Sequence, residues 1–452
     1  MRWFCLGLAL LLGAPAPAQE RPPSVVHDLA MKVESSRLTR TVGRLAAFGT
    51  RHTLSDPVAE TRGIGAARKW LEGEFQALTQ QPGSRLQPYS DTFRAEPGLL
   101  LPRAVDLVNL GVVLPGTDPA RVKEVLVVAA HYDSRAGNPL DSLGDAPGAV
   151  DNASGVAAVL EMATVMAAER PAVSIYFVAT AGGEQGSLGS ARLASQFKAA
   201  RLDVLAMVAV DSVGNTVLPG GKAGNPGKAD NAMRIFSQGQ PLTESDGERR
   251  LRELLGTEND SPGRALARYI KRMGEHYQEG FEVLAMLRRD RVGAAGEHQA
   301  FAREGFPAVA VTELADNYDR LRQDVRSTTT KAYGDTPAFF DAGYCTRVTR
   351  VLVAAFRHLA YAPAGPQNVG LGGVGTPDIR LWWNLPEDAR ITGIVLYHRR
   401  ADTVAWQQTK AFPRCDSQDL PGMGIDNDVF AVATMDDQGD ESLPVSPLSV
   451  QF

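Results

Sequence analysis

Apolar runs of strand length alternate with helical patterns through the middle of the chain. The segments 124–130 and 173–180 are apolar, rich in β-branched residues and without a clean polar–apolar alternation, which is typical of strands buried on both faces. Between them, residues 155–169 carry apolar side chains at helical spacing, and a second helical pattern at 188–200 precedes the strand at 204–210. This alternation predicts an α/β fold, a three-layer sandwich with a mixed, largely parallel sheet.

The pattern changes beyond a Pro- and Gly-rich segment at 362–375, which we interpret as a linker. Residues 376–452 contain short apolar runs separated by turn signals and show no helical pattern, which predicts a small all-β sandwich. This part resembles fibronectin type III modules, with Trp382 and Trp383 in an early strand and Tyr397 in a middle one.

The first 18 residues have the features of a secretory signal peptide. A charged Arg2 precedes an apolar run at 3–12, and an Ala-x-Ala motif ends at Ala18, which predicts cleavage after that residue. The alternative is an N-terminal anchor, but the run falls short of the roughly 20 apolar residues that a membrane span needs. We therefore expect a secreted or periplasmic protein without a membrane span, whose α/β domain, with a helical lead-in, occupies 19–361.

Composition and charge narrow the class of partner. Hydrophobic residues make up 44% of the chain, enough for a core built by apolar burial. A net charge of −5 gives no reason to expect nucleic acid or an anionic membrane as a partner. Of the three cysteines, Cys5 lies in the predicted signal peptide. Cys345 and Cys415 remain, and one disulfide or two free thiols are both open.

Acids and a histidine follow the predicted strands at the edge of the sheet where ligands usually bind. His131 and Asp133 come directly after the strand at 124–130, and Glu184 and Asp211 end the next two. The carboxyl ends of neighbouring parallel strands meet at one edge, so these side chains are expected to lie close together. Buried carboxylates repel one another without a cation, which favours a metal site.

Two further residues extend this candidate set. Asp151 stands just before a helix, where an N-cap is the simpler interpretation of an isolated aspartate. His298 stands at a predicted helix start, and an ordinary loop histidine would be enough to explain His131 alone. Taken together, two imidazoles and three carboxylates form a nitrogen and oxygen set typical of zinc in hydrolytic sites, and a bridging Asp151 would let two ions share it.

The order and the motifs of these residues resemble a known family. The segments HYDS, PGAVDNASG, GEQGSLGS, AVDSVGN, EHQAFAREGFPAVAVTE and NYDRLRQDVR are similar to those of the two-zinc aminopeptidases of metallopeptidase clan MH, in particular secreted bacterial members with an appended β-module. The resemblance implies the zinc exopeptidase fold and two zinc ions. The residues that it assigns to the ions are His131 and Asp211 for one, Glu184 and His298 for the other, and Asp151 as a bridge. It also implies that Asp133 orients the ligands and that the peptide between Asp151 and Asn152 is cis.

The chain departs from the family pattern at the position of the general base. The family usually has Gly-Glu-Glu-x-Gly, in which the first Glu is the base and the second a ligand, whereas this chain has Gly-Gly-Glu-Gln-Gly. The glycine register places Gly183 at the base and Glu184 at the ligand. A shift by one residue would instead make Glu184 the base and Gln185 a ligand. Val150 and Glu297 also replace a usual Asn and Asp, and Glu297 is a candidate substitute base.

The sequence therefore predicts a secreted zinc aminopeptidase that acts on peptides with a free N-terminus, with activity reduced by Gly183. Losing a positioned base typically costs about 10²–10⁴ in rate. If Gly183 marks a disabled base, Gly183→Glu should raise a negligible rate by about 10² or more; if wild type is already fast, the substitution should gain nothing. The alternatives are a catalytically impaired metal-binding protein that captures peptides, and a single-zinc acyltransferase similar to glutaminyl cyclases, which a count of one tightly bound ion would favour. For the β-module, a protein or polysaccharide ligand and a purely structural role are both open.

Overall fold

The computed structural model describes residues 25–217 and 230–451. The signal peptide predicted at residues 1–18 lies outside the described residues. Within the described ranges, no helix combines the length and the apolar character that crossing a membrane requires.

An eight-stranded mixed sheet forms the centre of the larger part of the molecule. Its strands are β1 Gln87–Ala95, β2 Val105–Leu114, β3 Glu124–His131, β4 Ser174–Thr180, β5 Asp203–Val210, β6 Ala232–Ser237, β7 Glu282–Met286 and β8 Ala308–Glu313. They are arranged in the order β1-β2-β4-β3-β5-β8-β6-β7. The run β4-β3-β5-β8 is parallel throughout, so the carboxyl ends of these four strands meet at one edge.

Helices cover both faces of this sheet. They are α1 Val25–Met31, α2 Ser35–Ala46, α3 Gly63–Thr79, α4 Gly155–Met166, α5 Leu188–Ala199, α6 Asp246–Leu255, α7 Pro262–Tyr277, α8 His298–Arg303 and α9 Ala342–Tyr361. Alternate residues of β3 point to opposite faces, as the two-residue period of a strand requires. Leu126 and Val128 join the core that includes α4 and α9, whereas Val125 and Val127 join the core of Phe301 and its neighbours on α5 and α8. The predicted three-layer α/β sandwich is confirmed.

The C-terminal part is built from two further sheets. One contains β11 Gln367–Gly372, β12 Ile379–Asn384, β15 Ser417–Leu420 and β17 Ser449–Gln451, and the other contains β13 Gly393–Arg400, β14 Gln408–Pro413 and β16 Asp428–Met435. A short hairpin precedes them in the chain, and its strands, β9 Arg326–Ser327 and β10 Ala332–Tyr333, have two residues each. Buried apolar residues from both C-terminal sheets share one core, as in a β-sandwich.

One boundary differs from the sequence analysis. The strand β11 lies inside the segment 362–375 that was interpreted as a linker, and it pairs with both β12 and β17. Its Val369 and Leu371 are buried in the core of the β-sandwich, and this burial outweighs the turn-forming tendency of the neighbouring glycines. The connection from α9 to the first strand is therefore residues 362–366. The likeness to fibronectin type III stays a prediction.

Buried ion pairs attach the C-terminal part to the α/β domain. Asp260, just before α7, accepts a hydrogen bond from Arg268 of α7. Both of its carboxylate oxygens also accept from the Nη2 atom of Arg399 on β13. All three side chains are at most 2% exposed. Cys345 and Cys415, one in each part, are both free thiols, so the disulfide alternative is not realised.

Candidate functional site

The carboxyl edge of the parallel strands brings most of the predicted site residues together. His131 is the last residue of β3, Asp211 follows β5 directly, and Glu184 lies in the loop after β4. Asp151 lies in a tight turn, Ala149–Ser154, that leads into α4. The peptide between Asp151 and Asn152 is cis, which confirms the expectation drawn from the resemblance.

His131, Asp151 and Asp211 form a buried group whose ligand atoms all lie within 4.8 Å of one another. The His131 Nε2 atom is 3.4 Å from Asp151 Oδ1 and 3.9 Å from Asp211 Oδ1. Asp151 Oδ1 is buried and has no hydrogen-bond partner among the described residues. A buried, unpaired carboxylate oxygen facing an imidazole nitrogen is the arrangement that a bound cation would satisfy.

Asp133 positions the ring of His131 through its Nδ1 atom. Its Nδ1 atom lies 3.1 Å from the backbone carbonyl of Asp133, which leaves Nε2 directed at the two aspartates. The Asp133 carboxylate accepts the backbone N–H groups of Gly183, at 2.8 Å, and Glu184, at 2.9 Å. Asp133 therefore ties the loop after β4 to the histidine, and it fixes the tautomer that presents Nε2 to a metal.

The charged residues of the group shift one another's pKa values. Burial acts to lower the pKa of His131, but the carboxylates of Asp133 and Asp151 raise it well above its ordinary value. Burial acts to raise the pKa of Asp211, but the charges of Arg291 and His131 hold it at about 2. Grouping one buried imidazole with two carboxylates therefore shifts both kinds of pKa, and a bound metal would compete with a proton for the His131 nitrogen.

Arginines that the sequence analysis did not select contact every carboxylate predicted to bind metal. Arg291 pairs with Asp211 Oδ2. The Nε atom of Arg322 lies 3.4 Å from Asp151 Oδ2 and 3.0 Å from Glu184 Oε2. The Nε atom of Arg135 lies 3.0 Å from the same Glu184 oxygen. Arg322 belongs to the motif NYDRLRQDVR, so the sequence indicated that this segment lies near the site. Nothing in the sequence indicated that Arg322 contacts the carboxylates.

Glu184 and His298 are not part of the group of three. Glu184 is engaged by arginines, and His298 directs its Nε2 atom at the backbone carbonyl of Arg289, at 2.8 Å. Its Nδ1 atom is buried without a partner among the described residues. The assignment of Glu184 and His298 to a second ion stays a prediction.

Glu297 is a buried acid close enough to the group to feel its charges. One carboxylate oxygen accepts the hydroxyl of Thr180, and the other has no partner among the described residues. Burial raises the pKa of Glu297 to about 7, against the opposing effect of His131. The predicted role of Glu297 as a substitute base stays open.

Gly183 leaves no space for a side chain. A Cβ atom built on this residue would lie 2.9 Å from Cδ2 of the His131 ring and closer still to its Cβ and Cγ. These are the rigid parts of a side chain that is itself held by Asp133. The loop therefore approaches the imidazole as only glycine allows.

The residues that are present fit one zinc ion. An imidazole nitrogen and two carboxylate oxygens are ligand types that zinc binds, three is the number of protein ligands in catalytic zinc sites, and Asp151 Oδ1 has no other partner among the described residues. His131, Asp151 and Asp211 would hold it.

Comparisons with known proteins agree with this architecture. A model of Peptidase family M28 matches residues 109–234. A relative from Pyrenophora tritici-repentis, named probable zinc metalloprotease, is 33% identical over 434 residues, which cover 94% of this chain and 98% of the relative. The chain belongs to peptidase family M28. A protein of the same name from Pyricularia oryzae is 36% identical over 386 residues, 84% of this chain and 74% of its own length. Both M28 relatives are fungal, whereas the sequence motifs suggested bacterial ones.

The LapA aminopeptidase of Legionella pneumophila has a similar fold. Its crystal structure matches with a TM-score of 0.52 at 18% sequence identity, over 79% of this chain and 80% of that protein. At this level of identity the likeness shows a shared fold alone.

Proposed function

We propose that this M28 protein is a secreted or periplasmic zinc-dependent exopeptidase of aminopeptidase type, whose rate is limited by the glycine at position 183. The observation that supports it is the buried group of His131, Asp151 and Asp211, in which one carboxylate oxygen lacks any partner among the described residues. The relatives named zinc metalloproteases support the metal and the class of substrate.

The roles of the chain's own residues follow from their contacts. A bound zinc ion would polarise the scissile carbonyl and lower the pKa of water. His131, fixed by the Asp133 carbonyl, would hold that ion together with the two aspartates. The loop residue that would accept a proton in the family pattern has no side chain. Glu297 is the remaining candidate for that role: one of its carboxylate oxygens accepts the Thr180 hydroxyl, and the other has no partner among the described residues.

A second candidate function is metal-dependent binding of peptide N-termini without hydrolysis. The crowding of Gly183 against His131 favours it, because the loop is packed in a way that excludes a carboxylate at that position. Under this alternative the same group binds zinc, but turnover is absent.

The deciding experiment compares hydrolysis with binding. Initial rates on aminoacyl anilides are measured for the zinc-loaded protein, for the chelated protein and for His131→Ala. In parallel, fluorescence anisotropy measures the binding of labelled peptides with a free or an acetylated N-terminus. A zinc-dependent rate that His131→Ala abolishes supports the exopeptidase. Zinc-dependent binding of the free N-terminus without turnover supports the binding protein. If zinc affects neither, both proposals fail.

One further arm tests the acyltransferase alternative. The zinc-loaded protein is incubated with a peptide that begins with glutamine, and ammonia release is followed. Release of ammonia without cleavage of the peptide would replace the exopeptidase proposal by a cyclisation reaction.

A further inference from the structure

Each of the two aspartates in the metal group divides its oxygens between His131 and an arginine. Asp151 directs Oδ1 toward His131 and Oδ2 toward Arg322. Asp211 directs Oδ1 toward His131 and Oδ2 toward Arg291. The side of the aspartates that faces away from His131 is therefore already compensated by positive charge.

Arg322 lies between the two acids that a second metal ion would need. Its Nε atom is 3.0 Å from Glu184 Oε2 and 3.4 Å from Asp151 Oδ2. The backbone of Arg322 has a φ of 54°, the left-handed region that residues other than glycine seldom adopt. Its side chain is 41% exposed, so the guanidinium reaches the acids from the solvent side.

A metal ion bound to Glu184 and Asp151 would occupy the same space as this guanidinium. Zinc binds carboxylate oxygens at about 2.0–2.2 Å, so an ion shared by both acids would compete with Arg322 Nε for the same two oxygens. The ion and the guanidinium would also repel each other while they compete for the same anions. His298 is not paired with either acid among the described residues, since its Nε2 atom is directed at the carbonyl of Arg289 and its Nδ1 atom has no partner there.

We propose that Arg322 is a built-in cation that takes the place of a second metal ion, so that the chain holds one ion at His131, Asp151 and Asp211. A guanidinium balances the charge of the acids and donates hydrogen bonds to them, but it offers no open coordination position. The inference rests on the zinc site of the proposed function, and it replaces the two ions that the sequence resemblance implies by one.

The test counts zinc in three forms of the full mature chain. Wild type, Arg322→His and Arg135→His are equilibrated with excess zinc and dialysed, and zinc per chain is measured by mass spectrometry. Arg322→His removes the charge and places an imidazole beside Glu184 and Asp151, which completes a ligand set of one histidine and two carboxylates. Arg135→His is the matched control, because Arg135 pairs with the same Glu184 oxygen and its replacement leaves Arg322 in place.

The expected counts are one ion for wild type, two for Arg322→His and one for Arg135→His. Replacement of zinc by Co²⁺ should add a second set of visible absorption bands only in Arg322→His. Two ions in wild type would overturn the inference and leave the zinc-dependent function standing. One ion in both wild type and Arg322→His would show that Arg322 is not what excludes the second. No ion in wild type would overturn the inference and the proposed function together.

A second variant keeps the test decisive if Arg322→His does not fold. Arg322→Met removes the charge without adding a ligand, so the single ion should bind more tightly, by about tenfold, as measured by competition with a chromophoric chelator. An unchanged affinity would contradict the charge that Arg322 is inferred to contribute.

Discussion

Substitution of Gly183 by alanine is the sharpest probe of the loop beside His131. A Cβ atom at this position would lie 2.9 Å from Cδ2 of the ring and closer still to its Cβ and Cγ. Carbon atoms in favourable contact are about 3.5–4.0 Å apart, so the loop or the ring must move by more than 0.5 Å. We therefore expect Gly183→Ala to destabilise the protein and to weaken zinc binding.

The size of the expected destabilisation follows from the contacts that hold the His131 ring and the loop of Gly183 in place. The His131 ring is tied to the Asp133 carbonyl, and the loop is tied to the Asp133 carboxylate by the N–H groups of Gly183 and Glu184. Neither can move without straining these bonds. Overpacking of this kind typically costs about 1–3 kcal/mol. Disturbing the support of a metal-ligating histidine typically costs about 10- to 100-fold in metal affinity.

The assay is urea unfolding in the presence of a chelator, followed by zinc titration of the folded protein. The matched control is Gly73→Ala in α3, where an added Cβ meets open space. Because alanine favours a helix over glycine by about 1 kcal/mol, the control should be slightly stabilised and should keep its zinc affinity.

The same crowding changes the expectation for Gly183→Glu. The sequence alone suggests that this change restores a base and about 10² in rate. In the structure the carboxylate cannot enter without displacing His131, so we expect no such gain. The packing argument would be refuted if Gly183→Ala were as stable as wild type with equal zinc affinity, or if Gly183→Glu raised the hydrolysis rate by about 10² or more.

Three further measurements test the site and the fold. Zinc at 100 times its Kd should raise the free energy of unfolding by about 2.7 kcal/mol, and His131→Ala should abolish this gain. Asp260→Ala should cost about 3–5 kcal/mol in urea unfolding, because it leaves Arg268 and Arg399 buried without their partner; a cost under 1 kcal/mol would contradict this. Burial raises the pKa of Glu313 well above its ordinary value, so its contribution to stability is present in acid and is lost as pH rises toward the raised pKa. Glu313→Gln should therefore gain stability over wild type as pH increases, by up to about 1.4 kcal/mol per pH unit, and a pH-independent difference would reject this explanation.

The central fold was predictable because its pattern is strong. Strands buried on both faces are continuous apolar runs, and β3, β4 and β5 were found within one residue of their ends. The outer strands β1 and β2 were missed. The strand β1 is exposed at most of its positions and has no comparable apolar run. The strand β11 was missed because its glycines suggested a linker, although pairing with β12 and β17 decides its conformation.

The site was predictable only as far as strand order fixes it. His131 and Asp211 end neighbouring parallel strands, so their meeting follows from topology. The position of His298 does not, because it begins a short helix whose packing sets the direction of the ring. The role of Arg322 was beyond sequence reasoning too, since its left-handed backbone and its reach to two acids depend on tertiary contacts.

One physical rule accounts for both sides of the site, the side of His131 and the side of Glu184. A buried carboxylate oxygen must be compensated, and leaving one unpaired costs about 1–3 kcal/mol or more. On the side of His131, Asp151 Oδ1 has no partner among the described residues, so an ion that binds there repairs a deficit. On the other side, Glu184 already has Arg135 and Arg322, so an ion that binds there must first displace them. The same requirement therefore favours a metal in one half and excludes it from the other, which is why zinc stoichiometry is more informative than zinc dependence alone.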